Sequence, residues 1–171
     1  MRIALFAVAT MLATPAAFAA EPETHAFQLE VGRDRCTLNY PRADGRTLTF
    51  LLHIDGTFSA SIHQNRWEIV DDKDTKDQSK PMTLDFKGVG KTTAKWGGYR
   101  NGYVQGLWAG WDKNPSGPAS TGEAMGMLEK AQVVSVTFEG KPMGTFDMKN
   151  KGFAATALRT CARNVANIPA G

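Results

Sequence analysis

The sequence predicts a mainly β protein, an antiparallel β-sandwich or barrel-like domain with a short helix and a C-terminal helix packed on it. Three observations predict this. Short β-branched or aromatic runs recur along the chain, separated by turns containing Gly, Asp and Pro. The pair Asp55-Gly56 lies between two such runs, a strong short-range hairpin signal. Apolar residues at helical spacing occur in only two stretches, both in the last third.

The elements follow in order. Residues 1–20, MRIALFAVATMLATPAAFAA, combine basic Arg2, an apolar run from Ile3 to Leu12, Pro15 and the small-residue site Ala17-Phe18-Ala19. That run is too short to span a bilayer. The pattern is that of a secretory signal peptide over residues 1–19, leaving 20–171 as one β-rich domain. Its Ala-rich character predicts a bacterial protein of the periplasm or a secreted one. Ala26 to Val31 and Cys36 to Tyr40 read as strands, and Arg46 to Ile54 pairs through Asp55-Gly56 with Thr57 to His63. Asn65 to Val70 continues as a strand, and the charged stretch 71–80 is exposed. Met82 to Lys87 and Lys91 to Trp96 flank Gly88 and Gly90, and Tyr103 to Trp111 is a glycine-rich aromatic strand. Ser120 and Glu123 form an S-x-x-E capping box for a helix over Glu123 to Ala131. Val133 to Glu139 and Gly144 to Met148 are strands. A final helix from Gly152 to about Val165 buries Phe153, Ala157, Leu158 and Cys161.

The chain has 171 residues, 42% of them hydrophobic, and a formal net charge of +3. The length predicts one domain with a sizeable core, and so small a charge does not point to nucleic acid. No second apolar run of membrane length follows the leader, so no stable membrane insertion is expected. The two cysteines, Cys36 and Cys161, fit an oxidising compartment and favour a disulfide, against free buried thiols or an intermolecular bridge. An intramolecular bridge would close nearly the whole domain, a constraint of about 5 kcal/mol in the chain-entropy account.

From Glu123 onward, a short helix, two strands and a helix end in Phe146-x5-Gly152-Phe153-x3-Ala157-Leu158-x2-Cys161. This ending resembles the "sL-K-G-F-x-x-A" ending of the invasion-associated locus B family, small secreted proteins of Gram-negative bacteria. Asp147 and Met148 stand where that family more typically has Ser-Leu, and Asn150 interrupts the run before Gly152. The resemblance implies an envelope or surface role, in some members linked to host-cell invasion. It implies no catalytic residues.

Catalytic and metal patterns are weak. If Asp55-Gly56 sets pairs whose numbers sum to 111, His53 faces Phe58 and His63 faces Leu48, so the two histidines do not meet. A zinc site needs several convergent ligands. Asp71, Asp72, Asp74 and Asp77 are interleaved with Lys73 and Lys76 and lack the calcium-loop pattern. Gly88-Val89-Gly90-Lys91-Thr92 lacks the first glycine of a phosphate loop, since Asp85 stands there. No G-x-S-x-G elbow occurs. No catalytic residue, metal or cofactor is assigned.

The binding candidates are aromatic. Residues 96–111, WGGYRNGYVQGLWAGW, place Trp96, Tyr99, Tyr103, Trp108 and Trp111 among glycines, with Arg100 and Asn101 as hydrogen-bonding neighbours. Aromatics beside Gly let a flat ligand or partner backbone come close, suiting a sugar platform or a protein hot spot. Alternation from Tyr103 assigns Trp108 to the core and Tyr103 to the surface. Trp96, Tyr99, Arg100, Tyr103 and Trp111 are the binding residues read from sequence. The expected function is a non-catalytic binding or envelope-accessory protein whose partner is another protein of the envelope or of a host, with a glycan as the other ligand class. The alternative is a small periplasmic carrier of lipid or sugar, or a hydrolase.

Overall fold

A computed structural model describes residues 27–65, 79–101, 103–113, 117, 119–148 and 151–167. The expected signal peptide, the Asp71–Asp77 cluster, His25 and most of the strand expected after Asn65 lie outside them. Ten strands form one antiparallel sheet. They are β1 (Gln28–Val31), β2 (Arg35–Pro41), β3 (Thr47–His53), β4 (Phe58–Asn65), β5 (Lys80–Phe86), β6 (Gly90–Trp96), β7 (Gly98–Asn101), β8 (Val104–Trp111), β9 (Val133–Phe138) and β10 (Lys141–Asp147). Helix α1 (Thr121–Lys130) precedes β9, and α2 (Lys151–Ala166) follows β10. The order across the sheet is β1-β2-β3-β4-β8-β6-β5-β9-β10, with β7 beside β8.

Alternation explains which face is buried, because successive side chains of a strand point to opposite sides. Leu38, Phe50, Ala60 and Ala109 are opposed in register across β2, β3, β4 and β8, and all are buried. Met82, Leu84 and Phe86 of β5 meet Phe138, Val136 and Val134 of β9 on the same side. One face of the sheet is therefore apolar along its whole width, and the sheet curls around that face. The curl brings its ends together: Arg42 and Arg46, in and beside the β2–β3 turn, donate to the carbonyls of Thr145 and Met143 on β10 at 3.1 and 2.7 Å. The Arg42 guanidinium also lies over the Phe146 ring, 5.2 Å from its centroid, and Asp44 pairs with both arginines. Guanidinium groups thus occupy carbonyls that an open edge strand would otherwise offer to another chain.

Local chemistry sets the connections. The β3–β4 hairpin is one residue longer than the Asp-Gly pair implied. His53 N donates to Thr57 O and Gly56 N to His53 O, with Gly56 at φ +87° closing a three-residue loop. Opposed numbers consequently sum to 110 rather than 111, and His63 faces Thr47, not Leu48. The β9–β10 turn places Glu139 and Gly140 at φ 48° and 77°, the mirror-image turn that suits a two-residue hairpin. At the start of α1 the Ser120 hydroxyl accepts from Glu123 N, as the capping box requires. The return bond differs: the Glu123 carboxylate accepts from Ala119 N and from the Thr92 hydroxyl.

Helix α2 packs on β1, β2 and β3, and Arg159 pairs with Glu129 of α1. Ala154, Ala155, Leu158, Cys161, Ala162 and Val165 form its buried face. Phe153 is not part of it, contrary to the sequence reading. It is 70% exposed and meets only the ring of Phe27 among the described aromatic contacts. The buried stripe runs through Ala154, Ala155, Leu158, Cys161, Ala162 and Val165, and Phe153 falls outside it by helical phase. Cys161 and Cys36 form the expected intramolecular disulfide, with Cα atoms 6.0 Å apart and a separation of 125 positions in sequence.

Candidate functional site

The face opposite the core carries the site. On β3 the residues alternating with Leu48 and Phe50 are Thr47 and Thr49, and on β4 those alternating with Phe58, Ala60 and Ile62 are Ser59, Ser61 and His63. On β8 the same face receives Gly106, Trp108 and Gly110, because Leu107, Ala109 and Trp111 are buried. The sequence reading had the faces of β8 reversed: Trp108 is outward and half-buried, and Leu107 is in the core.

Register aligns these side chains in rows across the strands. One row is Thr47, His63, Gly106 and Tyr99. The next is Gln28, Asn39, Thr49, Ser61 and Trp108. Neighbours in a row stand about 4.8 Å apart. Gln28, Asn39, Thr47, Thr49, Ser61, His63 and Tyr99 of these rows line a groove of about 650 Å³ running across β1, β2, β3 and β4 to Val104 of β8 and Tyr99 of β7. Its floor is recessed: Thr49 and Ser61 are 5% and 7% exposed.

Each wall has a physical cause. The Tyr99 ring lies directly over Gly106, where a Cβ would stand 2.6 Å from the ring carbon Cζ. No side chain larger than hydrogen fits there, so glycine is what lets the ring lie on the sheet. Tyr99 hydrogen-bonds with Ser61, and burial raises its hydroxyl pKa above the ordinary value. At the other end Asn39 donates to Glu30 at 3.0 Å and accepts from the Thr49 hydroxyl at 2.7 Å. Between them stands His63, half-buried, its Nδ1 atom buried without a hydrogen-bond partner among the described residues. Burial lowers its pKa, and the nearby Glu30 charge opposes that only in part.

The His63 shift has a consequence for stability. Its folded pKa lies below the ordinary 6.5, so between the two values the unfolded chain binds the proton more readily. Stability conferred by the neutral imidazole is complete above about pH 7 and falls as pH drops through 6.5 toward the lower folded value. Urea midpoints at pH 7.5 and pH 5.5 are expected to differ more for the wild type than for His63→Gln. Equal differences would show that His63 does not titrate between those limits.

The aromatic candidates separate. Trp96 packs against Trp108, ring centroids 4.5 Å apart, beside a second cleft of about 660 Å³ that Lys95, Gly110 and Lys113 also line. Tyr99 lines the polar groove. Arg100 is exposed, and Tyr103 is 78% exposed in the β7–β8 turn, as its assignment to the surface expected. Trp111 is a correction: it is 1% exposed, packs edge-on to Phe58, and donates its indole N–H to the Thr92 hydroxyl at 2.9 Å. Its odd-numbered position on β8 shares the phase of Leu107 and Ala109, so it cannot stack a ligand on the outer face. Missed altogether were Asn39, Thr49, Ser61 and His63. Their signal was present as polar residues at every second position of β2, β3 and β4, but it marks a face and not a site until register aligns the strands. Among the described residues, no group of three or more His, Cys, Asp or Glu could hold a metal ion. No family model, curated protein or solved structure matches the chain.

Proposed function

We propose that this is a non-catalytic binding protein of the bacterial periplasm or the secreted space, accessory to the envelope. It holds another macromolecule, of the envelope or of a host, on the outer face of its sheet. The observation that carries this reading is the aromatic and polar surface of β4, β8 and β7. There Tyr99 and Trp108 stand on the face opposite the core, beside recessed hydroxyl groups, and Trp108 is backed by Trp96, which packs against the core. Aromatic side chains that are half-exposed and rigidly backed give contact area at little entropic cost. The leader-like N-terminus and the C-terminal resemblance to the invasion-associated locus B family support the location and the envelope role. A carrier would hold its ligand inside the sheet, whereas the polar groove lies on the side away from the apolar face.

The test is cross-linking of the purified, disulfide-bonded protein in envelope extract of its own species, followed by identification of what is captured. One dominant macromolecule is expected, with capture falling about tenfold for the double variant Trp108→Ala/Tyr103→Ala. Its melting temperature should be checked alongside, to separate lost contact from lost fold. Capture indifferent to that double variant, with a well-folded protein, would overturn the placement of the binding face.

A further inference from the structure

We infer that the groove crossing β1 to β4, β8 and β7 binds a neutral oligosaccharide, with Tyr99 as its stacking platform and the side chains of Thr37, Asn39, Thr47 and His63 as its hydrogen-bonding wall. This rests on the proposed function, since the groove lies on the same outer face and meets the Trp108 surface at Ser61, and it adds a ligand class to that face.

The first argument is where the groove runs. Its floor crosses β2, β3, β4 and β8, each of which is paired on both sides. Their backbone N–H and C=O groups are engaged in the ladders. A peptide recognised by strand addition needs an open edge, and mid-sheet there is none. Recognition therefore falls to side chains.

The second argument is what those side chains are. Thr37, Thr47, Thr49, Ser61 and Asn39 line the groove, and each can both donate and accept hydrogen bonds. A polyhydroxylated ligand does the same, and can exchange its water contacts for these one for one. The lining holds one carboxylate, Glu30, and one guanidinium, Arg35, so it carries no surplus charge to select an anionic chain. A protein hot spot is built differently, from projecting aromatic or Arg anchors in a water-free centre. Tyr103, the most exposed large hydrophobic side chain among those described, lies outside this lining.

The third argument is Tyr99 and His63 together. Tyr99 is held flat on Gly106 and tied to Ser61, so its orientation is fixed before any ligand arrives. The negative face of an aromatic ring attracts the weakly positive C–H groups of a pyranose. In the same row, on the far side of Gly106 from Tyr99, the His63 ring lines the groove and offers an imidazole edge beside the platform.

The experiment titrates four probes into the purified, disulfide-bonded, 15N-labelled protein: short oligomers of β-1,4-linked glucose, β-1,4-linked N-acetylglucosamine, α-1,4-linked glucose and β-1,3-linked glucose. At least one is expected to give saturable shifts of the Ser61, His63 and Gly106 amides, and Tyr99→Ala is expected to weaken that binding about tenfold or more. His63→Ala reads the same loss should Tyr99→Ala not fold. Absence of saturable shifts at those amides with all four probes would overturn the inference, as would unchanged binding by a folded Tyr99→Ala. If no saccharide binds while a protein is captured and lost with Trp108→Ala/Tyr103→Ala, the ligand class falls and the proposed function stands. If both experiments are negative, both fall.

Discussion

Reduction of the Cys36–Cys161 bridge is expected to lower stability by about 2–5 kcal/mol, the range for removing a native disulfide from a small secreted domain. The span is what makes the effect large. With the cysteines 125 positions apart, closing the loop in the unfolded chain removes entropy worth about 5 kcal/mol at room temperature. The native geometry adds a second reason: Cys36 is fully buried in β2 and Cys161 is 8% exposed on α2, so the bond joins the sheet to the helix that covers its first strands. Urea unfolding with and without a strong reductant, and of Cys36→Ala/Cys161→Ala, checks this. Coincident transitions would mean that packing of α2 alone holds the two ends.

The second large effect is expected at Trp111. Trp111→Ala should cost about 3–5 kcal/mol, as for other large aromatic side chains removed from a core. The indole is also the first member of a buried chain: its N–H donates to Thr92, whose hydroxyl donates to Glu123, whose carboxylate also accepts from Ala119 N. That chain joins β8, β6 and the start of α1, and it anchors Ala119, which sits at φ 56° without being glycine. Thr92→Val separates the two contributions. It keeps the volume and leaves the indole N–H unpaired, at a cost of about 1–3 kcal/mol. Denaturant midpoints of the three proteins measure both. A Trp111→Ala protein as stable as the wild type would show that the indole is not a core anchor.

Most of the fold was legible because period-two alternation is strong in β2, β3, β4, β5 and β9. There apolar and polar residues change places at nearly every step. Turn chemistry supplied the rest, with Asp55-Gly56 and Gly88 to Gly90 each marking a hairpin. What could not be read was phase in β8. Val104 to Trp111 puts one tryptophan on each face, with Val104 on the side that holds two glycines and Gln105 on the side that holds Leu107 and Ala109, so neither parity stands out as the apolar one. Only pairing with β4 decides it, and that decision moved Trp111 inward and Trp108 outward. The hairpin register failed for a related reason: Asp-Gly fixes a turn but not its length, and one added residue shifts every opposed pair. The groove was invisible for a third reason. Its residues come from β1, β2, β3, β4, β8 and β7, brought side by side by register across more than seventy positions of sequence.

The disulfide also bears on how the chain matures. The sequence contains two cysteines and no more. Within these 171 residues Cys36 therefore has no wrong partner, and it waits for 125 further positions to be synthesised before Cys161 arrives. A single intramolecular connectivity exists, so oxidation needs an electron acceptor but no shuffling of mispaired bonds. The one covalent error open to the protein is between two molecules. Oxidative maturation should therefore depend on chain concentration and on an oxidase, and be indifferent to an isomerase.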